Sequence, residues 1–290
     1  PPEIDPDATA ALVYTSGTTG APKGAMLSHR ALLENAAAVH AIIPPVTEDV
    51  FLSILPLAHA FERTVGYVLP VLSGACVAYA PSLLRLRQDL ATVRPTVIVG
   101  VPRFYEAIHQ AARRAVEESD LKRTLFEKTA AIGYRRFAHG AGIGPAPSLG
   151  DRGLWPVLSR IVARKVMGAF GGRVRVAVSG GAALEREVAE QLIGLGLPMV
   201  EGYGLTEAGP VVAASPMADY QPGSVGFALP GIEIRRAADG ELEVKSPSAM
   251  RGFSRPHRDS MKSASVLGSP SRTGSASAPL TRLRYHAQMM

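Results

Sequence analysis

Cysteine is almost missing from this chain, with one residue, Cys76, among 290. A single thiol excludes an internal disulfide framework and a cysteine-built metal cluster. It lies in "GACVAYA", where a buried core thiol is the expected environment rather than a nucleophile. A charge imbalance in the body is also missing. The formal net charge is +6, yet residues 1–250 hold 24 Lys+Arg against 24 Asp+Glu, and residues 251–290 hold seven basic residues and one acidic. A neutral body gives no electrostatic footprint for nucleic acid, so no nucleic-acid partner is expected. No unbroken apolar span is present either. Residues 64–84 run for 21 positions without a charge, about the reach of a bilayer. Gly66, Pro70, Ser73, Gly74 and Pro81 break that run into what reads as a helix, a turn and a buried strand. No signal peptide is visible and the first residue is not Met. The expectation is a cytoplasmic protein, at most peripheral to a membrane, and a chain that is a fragment.

The chain does have a 47% hydrophobic content, enough for about two domains or one large α/β unit. The runs "VFLSILP", "ACVAYA", "TVIVGVP", "VRVAVSGG" and "LPMVEGYG" read as short strands. Helical stretches such as "PRFYEAIHQAARRAVEES" and "ALEREVAEQLIGLG" separate them, the alternation of βαβ units on a largely parallel sheet. Residues 114–170 read as helical, interrupted by the loop "HGAGIGPAPSLGD". The expected division is an α/β core over 1–222, a small β subdomain over 223–250 around a "DG" hairpin turn, and a tail over 251–290. The tail is rich in Ser, Arg, Pro and Ala without amphipathic period, so disorder is expected there.

One loop stands out, "VYTSGTTGAPKGAMLSH" at 13–29, which reads as joining a strand to a helix. Gly17, Gly20 and Gly24 permit close backbone approach, Thr15, Ser16, Thr18 and Thr19 supply hydroxyls, and Lys23 supplies positive charge. Those are the parts of a polyphosphate cradle. It is not a Walker A loop, because Pro22 stands where the second glycine belongs and Gly24 follows the lysine. A plain Gly/Ser/Thr turn with a solvated lysine has the same composition. The context comes from "EGYGLTEAGP" at 201–210, which places Glu207 beside Thr206 and Tyr203 at the end of a strand, where α/β sheets bind ligands. A phosphate cradle with a carboxylate suited to Mg²⁺ implies nucleoside triphosphate chemistry.

"YTSGTTGAPKGAMLSH" and "EGYGLTE" together resemble the adenylate-forming superfamily of acyl-CoA synthetases, luciferases and peptide-synthetase adenylation domains. Within it, "LPLAHAFER", "VGVPRFYEAI", "AVSGGAAL" and "GSVGFALPGIEI" are similar to the long-chain fatty acid CoA ligases, and the resemblance covers roughly residues 8–252. It implies that residues 15–24, with Thr15, Ser16, Gly17, Thr18, Thr19, Gly20 and Lys23, wrap the β- and γ-phosphates of ATP. Gly180, Gly181 and Ala182, with Gly202, Tyr203 and Gly204, would line the adenine pocket. Thr206 would contact the α-phosphate and Glu207 would hold Mg²⁺. The implied partners are a fatty acid and ATP, with CoA as co-substrate. The implied reaction makes acyl-AMP and pyrophosphate, after which the CoA thiol displaces AMP. Lys23, Thr206, Glu207 and His59 form the candidate catalytic set. His59 in "PLAHAFER" either shapes the carboxylate site or is a histidine satisfied by a backbone carbonyl. Val99–Pro102 either lines the acyl channel or packs in the core, and Glu62 with Arg63 reads as a structural pair.

The chain also departs from that family. The family's long segment before the phosphate loop is absent. Its "TGD" motif is not found, since "RTGS" at 272–275 has Ser275 where the aspartate belongs. The hinge and the C-terminal domain with its catalytic lysine are not recognisable. The expectation is a ligase truncated at both ends, with a tail read out of frame and impaired thioester formation. Two alternatives stand beside it. One is a fatty acyl-AMP ligase feeding an acyl carrier; the other is a non-catalytic remnant, or one subunit of a split ligase with a complementing chain.

Overall fold

The computed structural model describes residues 3–15, 23–237 and 241–254, and a further strand at 282–284. The chain opens with an antiparallel hairpin of β1 (Thr9–Thr15) and β2 (Lys23–Ser28), closed by the pair Thr15 and Lys23. This corrects the reading of 13–29 as a strand-to-helix loop, because the loop joins two strands. The helix that follows, α1 (His29–Ile42), starts only at its cap, where Ser28 Oγ accepts from the Ala31 N–H at 3.1 Å. Residues 23–28 lie between two strand partners and hydrogen-bond to both, which fixes them as extended.

The large sheet has eight strands. Five are parallel neighbours: β3 (Val50–Ser53), β4 (Cys76–Tyr79), β5 (Val97–Gly100), β6 (Val176–Ser179) and β7 (Met199–Tyr203), in the order β4, β3, β5, β6, β7. These are the five runs read as strands. β5 is buried at all four positions, as an apolar strand covered on both faces must be. β4 corrects two expectations. It is the outermost strand on its side and only partly buried, and Cys76 is exposed rather than in the core. An apolar "CVAY" looks the same from its sequence at the edge as at the centre. The strand is reached through a π-helical turn at Glu62–Val68 that continues into α2 (Leu69–Leu72), and none of the described helices is long and apolar enough to cross a membrane.

The remaining helices are α3 (Leu86–Val93), α4 (Pro102–Glu117), α5 (Asp120–Gly140), α6 (Leu149–Leu158), α7 (Arg164–Ala169) and α8 (Arg186–Gly194). α5 and α8 meet backbone to backbone, since a Cβ on Gly133 would lie 1.9 Å from the Gly194 carbonyl oxygen. His109 on α4 is buried against Gln191 on α8, ring Nε2 to Oε1 at 2.8 Å.

Beyond β7 the sheet turns antiparallel through β8 (Ala213–Ala214) and β9 (Ser224–Ala228). β9 therefore belongs to the large sheet, and the separate two-stranded unit is the hairpin of β10 (Glu233–Arg236) and β11 (Leu242–Lys245). Its "DG" turn lies outside the described residues. β12 (Phe253–Ser254) pairs with β2, and β13 (Arg282–Arg284) pairs with β9. β12 corrects the tail boundary set at 251, carrying the described body to Ser254; residues 255–281 and 285–290 lie outside the described residues.

At the N-terminal ends of β3, β5 and β6, one carboxylate ties the strands together. Asp49 is 1% exposed and accepts from Thr96 Oγ1 at 2.7 Å, Arg175 Nε at 2.7 Å and the Val46 N–H at 2.8 Å. Burial alone would raise its pKa, but the Arg175 guanidinium and the other two donors outweigh that and hold it below the usual carboxylate range.

Candidate active site

The opposite, C-terminal ends of β6 and β7 carry two glycine turns. Ser179 and Glu201 are register partners, so Gly180–Ala182 leave β6 beside Gly202 and Tyr203, the last two residues of β7, with Gly204 just beyond the strand. Gly181 has φ +81°, and a Cβ there would meet nothing nearer than Val101 Cγ1 at 3.8 Å. Its backbone is thus open to an approaching ligand. The Phe61 ring lies against Gly180, where a Cβ would be 2.8 Å from its Cζ. Gly204 has no room for a side chain, because a Cβ would fall 1.8 Å from the Pro210 carbonyl oxygen. That close return makes the 205–210 segment a tight loop, with Thr206 and Glu207 half-buried on a single 3₁₀ turn. Asn35 on α1 clamps the far side of this loop. Its Nδ2 donates to the Val211 carbonyl at 2.8 Å, and its Oδ1 accepts from the Val211 N–H at 3.1 Å.

One segment ties this loop to the hairpin. The Met250 N–H donates to the Glu207 carbonyl at 2.8 Å and the Arg251 N–H to the Met26 carbonyl at 2.8 Å. The Met26 N–H in turn donates to the Gly252 carbonyl at 2.9 Å. Phe253 and Ser254 then pair with Ala25 and Gly24, and Lys23 Nζ stands 5.6 Å from the centroid of the Phe253 ring. Residues 250–254 therefore bring Lys23 and Thr15 onto the same framework as Thr206 and Glu207. Sequence reasoning set a boundary at 251 and missed this strap; its signal, a buried Met250 two residues before a glycine with φ +138°, is too short to register as periodicity. Ser16, Gly17, Thr18, Thr19 and Gly20 lie outside the described residues.

His59 sits in the loop after β3. Its N–H donates to the Pro56 carbonyl at 2.9 Å, its carbonyl accepts from the Arg63 N–H at 3.0 Å, and its side chain is exposed. The loop reaches the glycine turns through Phe61. The expected Glu62–Arg63 pair is not formed. Glu62 is fully buried and Ser53 Oγ donates to its Oε1 at 2.5 Å, while Glu62 Oε2, Thr64 Oγ1 and Arg63 Nε are buried without a hydrogen-bond partner. Burial pushes the Glu62 carboxyl up to about 7, against the lowering effect of Ser53. Glu201 is a second buried carboxyl that the sequence reading did not single out. It accepts from Tyr220 Oη at 2.6 Å and the Gly223 N–H at 3.2 Å, and burial raises its pKa more than these bonds lower it.

A narrow apolar cavity of about 30 Å³ lies between the sheet and the α1 side, walled by Phe61, Val65, Leu69, Val176, Val178 and Gly202 among others. Val99–Pro102 are not among its walls, and Val99 is core. For Mg²⁺, no group of three or more His, Cys, Asp or Glu side chains converges among the described residues. Glu207, half-buried on an open turn, fits an ion that takes one or two carboxylates and completes its shell with phosphate oxygens and water.

The chain matches the AMP-binding enzyme family over residues 1–253 and belongs to it. It is 34% identical to long chain acyl-CoA synthetase 6, peroxisomal, of Arabidopsis thaliana, over 90% of this chain and 38% of that protein. It is 35% identical to the long-chain-fatty-acid–CoA ligase FadD15 of Mycobacterium bovis, over 84% of this chain and 40% of that one. A chloroplastic long-chain-fatty-acid–[acyl-carrier-protein] ligase of Arabidopsis thaliana is 30% identical over 86% of this chain and 39% of its own length. Among solved structures, ATP-bound MatB from Rhodopseudomonas palustris aligns with TM-score 0.61 at 25% identity, over 86% of this chain and 42% of that one. A malonyl-CoA ligase complex with methylmalonyl-CoA and AMP aligns with TM-score 0.56 at 27% identity, over 87% of this chain and 47% of that one. The chain thus spans about two fifths of the length of these curated relatives.

Proposed function

We propose that this chain carries the adenylation site of a ligase that activates a long-chain fatty acid with ATP. The observation that carries the reading is the convergence of the two glycine turns with the Thr206–Glu207 loop, strapped by residues 250–254 to the hairpin that bears Lys23. A fatty-acid carboxylate oxygen attacks the α-phosphorus, the bond to the bridging oxygen of the β-phosphate breaks, and pyrophosphate leaves. A thiolate of CoA then attacks the acyl carbon and AMP departs. Gly180–Ala182 and Gly202–Gly204 hold the adenine, Lys23 and Thr15 with the loop between them hold the terminal phosphates, and Thr206 donates its hydroxyl to the α-phosphate. Glu207 would hold Mg²⁺, which would supply charge neutralisation on the phosphate oxygens. His59 lies two residues before Phe61, whose ring packs on Gly180. Positioning and charge neutralisation are the main contributions the protein makes to such a phosphoryl centre.

The long-chain preference draws support from the relatives at 34% and 35% identity. A second reading, with an acyl carrier as acceptor, is favoured by the acyl-carrier-protein ligase relative. Adenylation is the part of the reaction assigned to this site. The test is fatty-acid-dependent ATP–pyrophosphate exchange by the 290-residue chain. Exchange should rise with palmitate-length acids over short ones and fall on the order of a hundredfold in Lys23→Ala or Glu207→Ala. A folded chain with no exchange would instead support the remnant or split-subunit reading.

A further inference from the structure

α6, a π-helical turn at Ser159–Ala163 and α7 form one continuous rod from Leu149 to Ala169. Its inner side is set by Leu158, Ala163 and Val166, all buried. Its outer side carries Leu154, Val157 and Ile161, three and four residues apart, which remain 51%, 56% and 59% exposed. Leu149, at the first position of the rod, is also exposed but lies on another side of the helix, five residues before Leu154. Isolated exposed apolar residues are ordinary, but a ridge of them along one helical rod is not. Arg160, Arg164 and Lys165 are exposed on the same rod, and none of the three is paired with a carboxylate among the described residues. The rod's one acidic residue, Asp151, is already engaged by Arg135 through Nε at 3.0 Å and a second nitrogen at 2.9 Å. The face is therefore apolar along its ridge and uncompensated positive beside it. None of these residues belongs to the nucleotide site.

We propose that this face docks the protein on an anionic lipid bilayer. An apolar ridge with cations beside it is the pattern of a helix lying in the plane of the interface, where the ridge enters the acyl boundary and long basic side chains reach back to the phosphates. Charge complementarity selects the anionic surface, because each basic side chain held near it gains from its negative potential. The ridge is a convex rod rather than a groove, so it fits a yielding lipid surface better than an acidic protein helix. The proposal goes beyond the ligase reading and does not depend on it.

Trp155 in α6 is the one tryptophan of the chain; its ring lies on the α5 side of the rod, beneath the Arg136 guanidinium and against Gly133, so it reports on how closely the rod approaches the bilayer. The full chain is floated with phosphatidylcholine vesicles, with and without a third of phosphatidylglycerol, and Trp155 quenching by brominated phosphatidylcholine is read in the same vesicles. Binding to the anionic vesicles, weakened by salt, with quenching of Trp155, is the expected result. The double variants Leu154→Ser/Ile161→Ser and Arg160→Glu/Arg164→Glu should each weaken it about tenfold or more. All four positions are exposed, and circular dichroism checks that the variants fold. Failure of the unmutated chain to bind would overturn the proposal. So would binding unchanged in both variants without quenching, which would place the contact elsewhere, on the basic 251–290 segment for example. Retention of an acidic protein with no vesicle binding would likewise replace the bilayer with a protein partner.

Discussion

Glu62 has no exposed surface and a single hydrogen-bond partner, the Ser53 hydroxyl. Its carboxyl is pushed from an ordinary 4.5 up to about 7 by burial. The folded state therefore holds the proton more tightly than the unfolded chain, so the penalty appears as pH rises from the unfolded value through the folded one, and levels off above it. Between pH 5 and pH 8 this group alone should lower stability by roughly 2 to 3 kcal/mol. Glu62→Gln should remove that slope, so the difference in unfolding free energy between variant and parent shifts toward the variant by a similar amount over this range. Urea unfolding at the two pH values measures it. The adjacent Arg63 made an ion pair the natural reading of "ER", and nothing local reveals that Glu62 turns inward to Ser53. A space only glycine leaves, at Gly66 where a Cβ would lie 2.4 Å from Glu62 Oε1, was visible in the sequence only as a glycine in an apolar run.

Among the elements, the parallel strands were legible because each is a short apolar run bounded by turn residues. β2 was not, because "GAMLS" follows a glycine-rich loop directly and precedes a helix, and its extended form comes from two partners distant in the chain. β12 was hidden for the same reason, being two residues whose partner lies more than two hundred positions earlier. The candidate site residues were legible as motifs, whereas the strap that joins them was not. The clamp from α1 onto the 205–212 loop is a tertiary device of the same kind. Asn35→Ala would leave the buried Val211 N–H and carbonyl without their partner, and should cost about 2 to 4 kcal/mol. Thermal unfolding gives the stability loss. The same variant should weaken ATP binding, because Thr206 and Glu207 sit on the loop it releases.

Across the whole molecule, the two ends of the sheet do different work. Asp49 locks the N-terminal ends of β3, β5 and β6 through Thr96 and Arg175, while at the C-terminal ends β6 opens into the glycine turn at 180–182 and β7 runs into the tight 205–210 loop. Removing the lock leaves a cation and a hydroxyl without their acceptor, so Asp49→Ala should destabilise the fold by about 3 kcal/mol. Because the Asp49 pKa is depressed on folding, its contribution is present above the ordinary carboxylate range and is lost as pH falls through the lowered value. Acid unfolding should therefore begin at higher pH in any variant that keeps Asp49 but loses Arg175. Neither the lock nor the order of the strands could be read from the sequence, since both rest on contacts between residues far apart in the chain. The central claim is that the glycine turns, the Glu207 loop and the hairpin form one nucleotide site. Hydrogen exchange of the chain with and without ATP and Mg²⁺ tests it most directly. Slowed exchange at 180–184, 202–208, 24–28 and 250–252 together is the predicted result, and slowing confined to one of these segments, or to none, would contradict it.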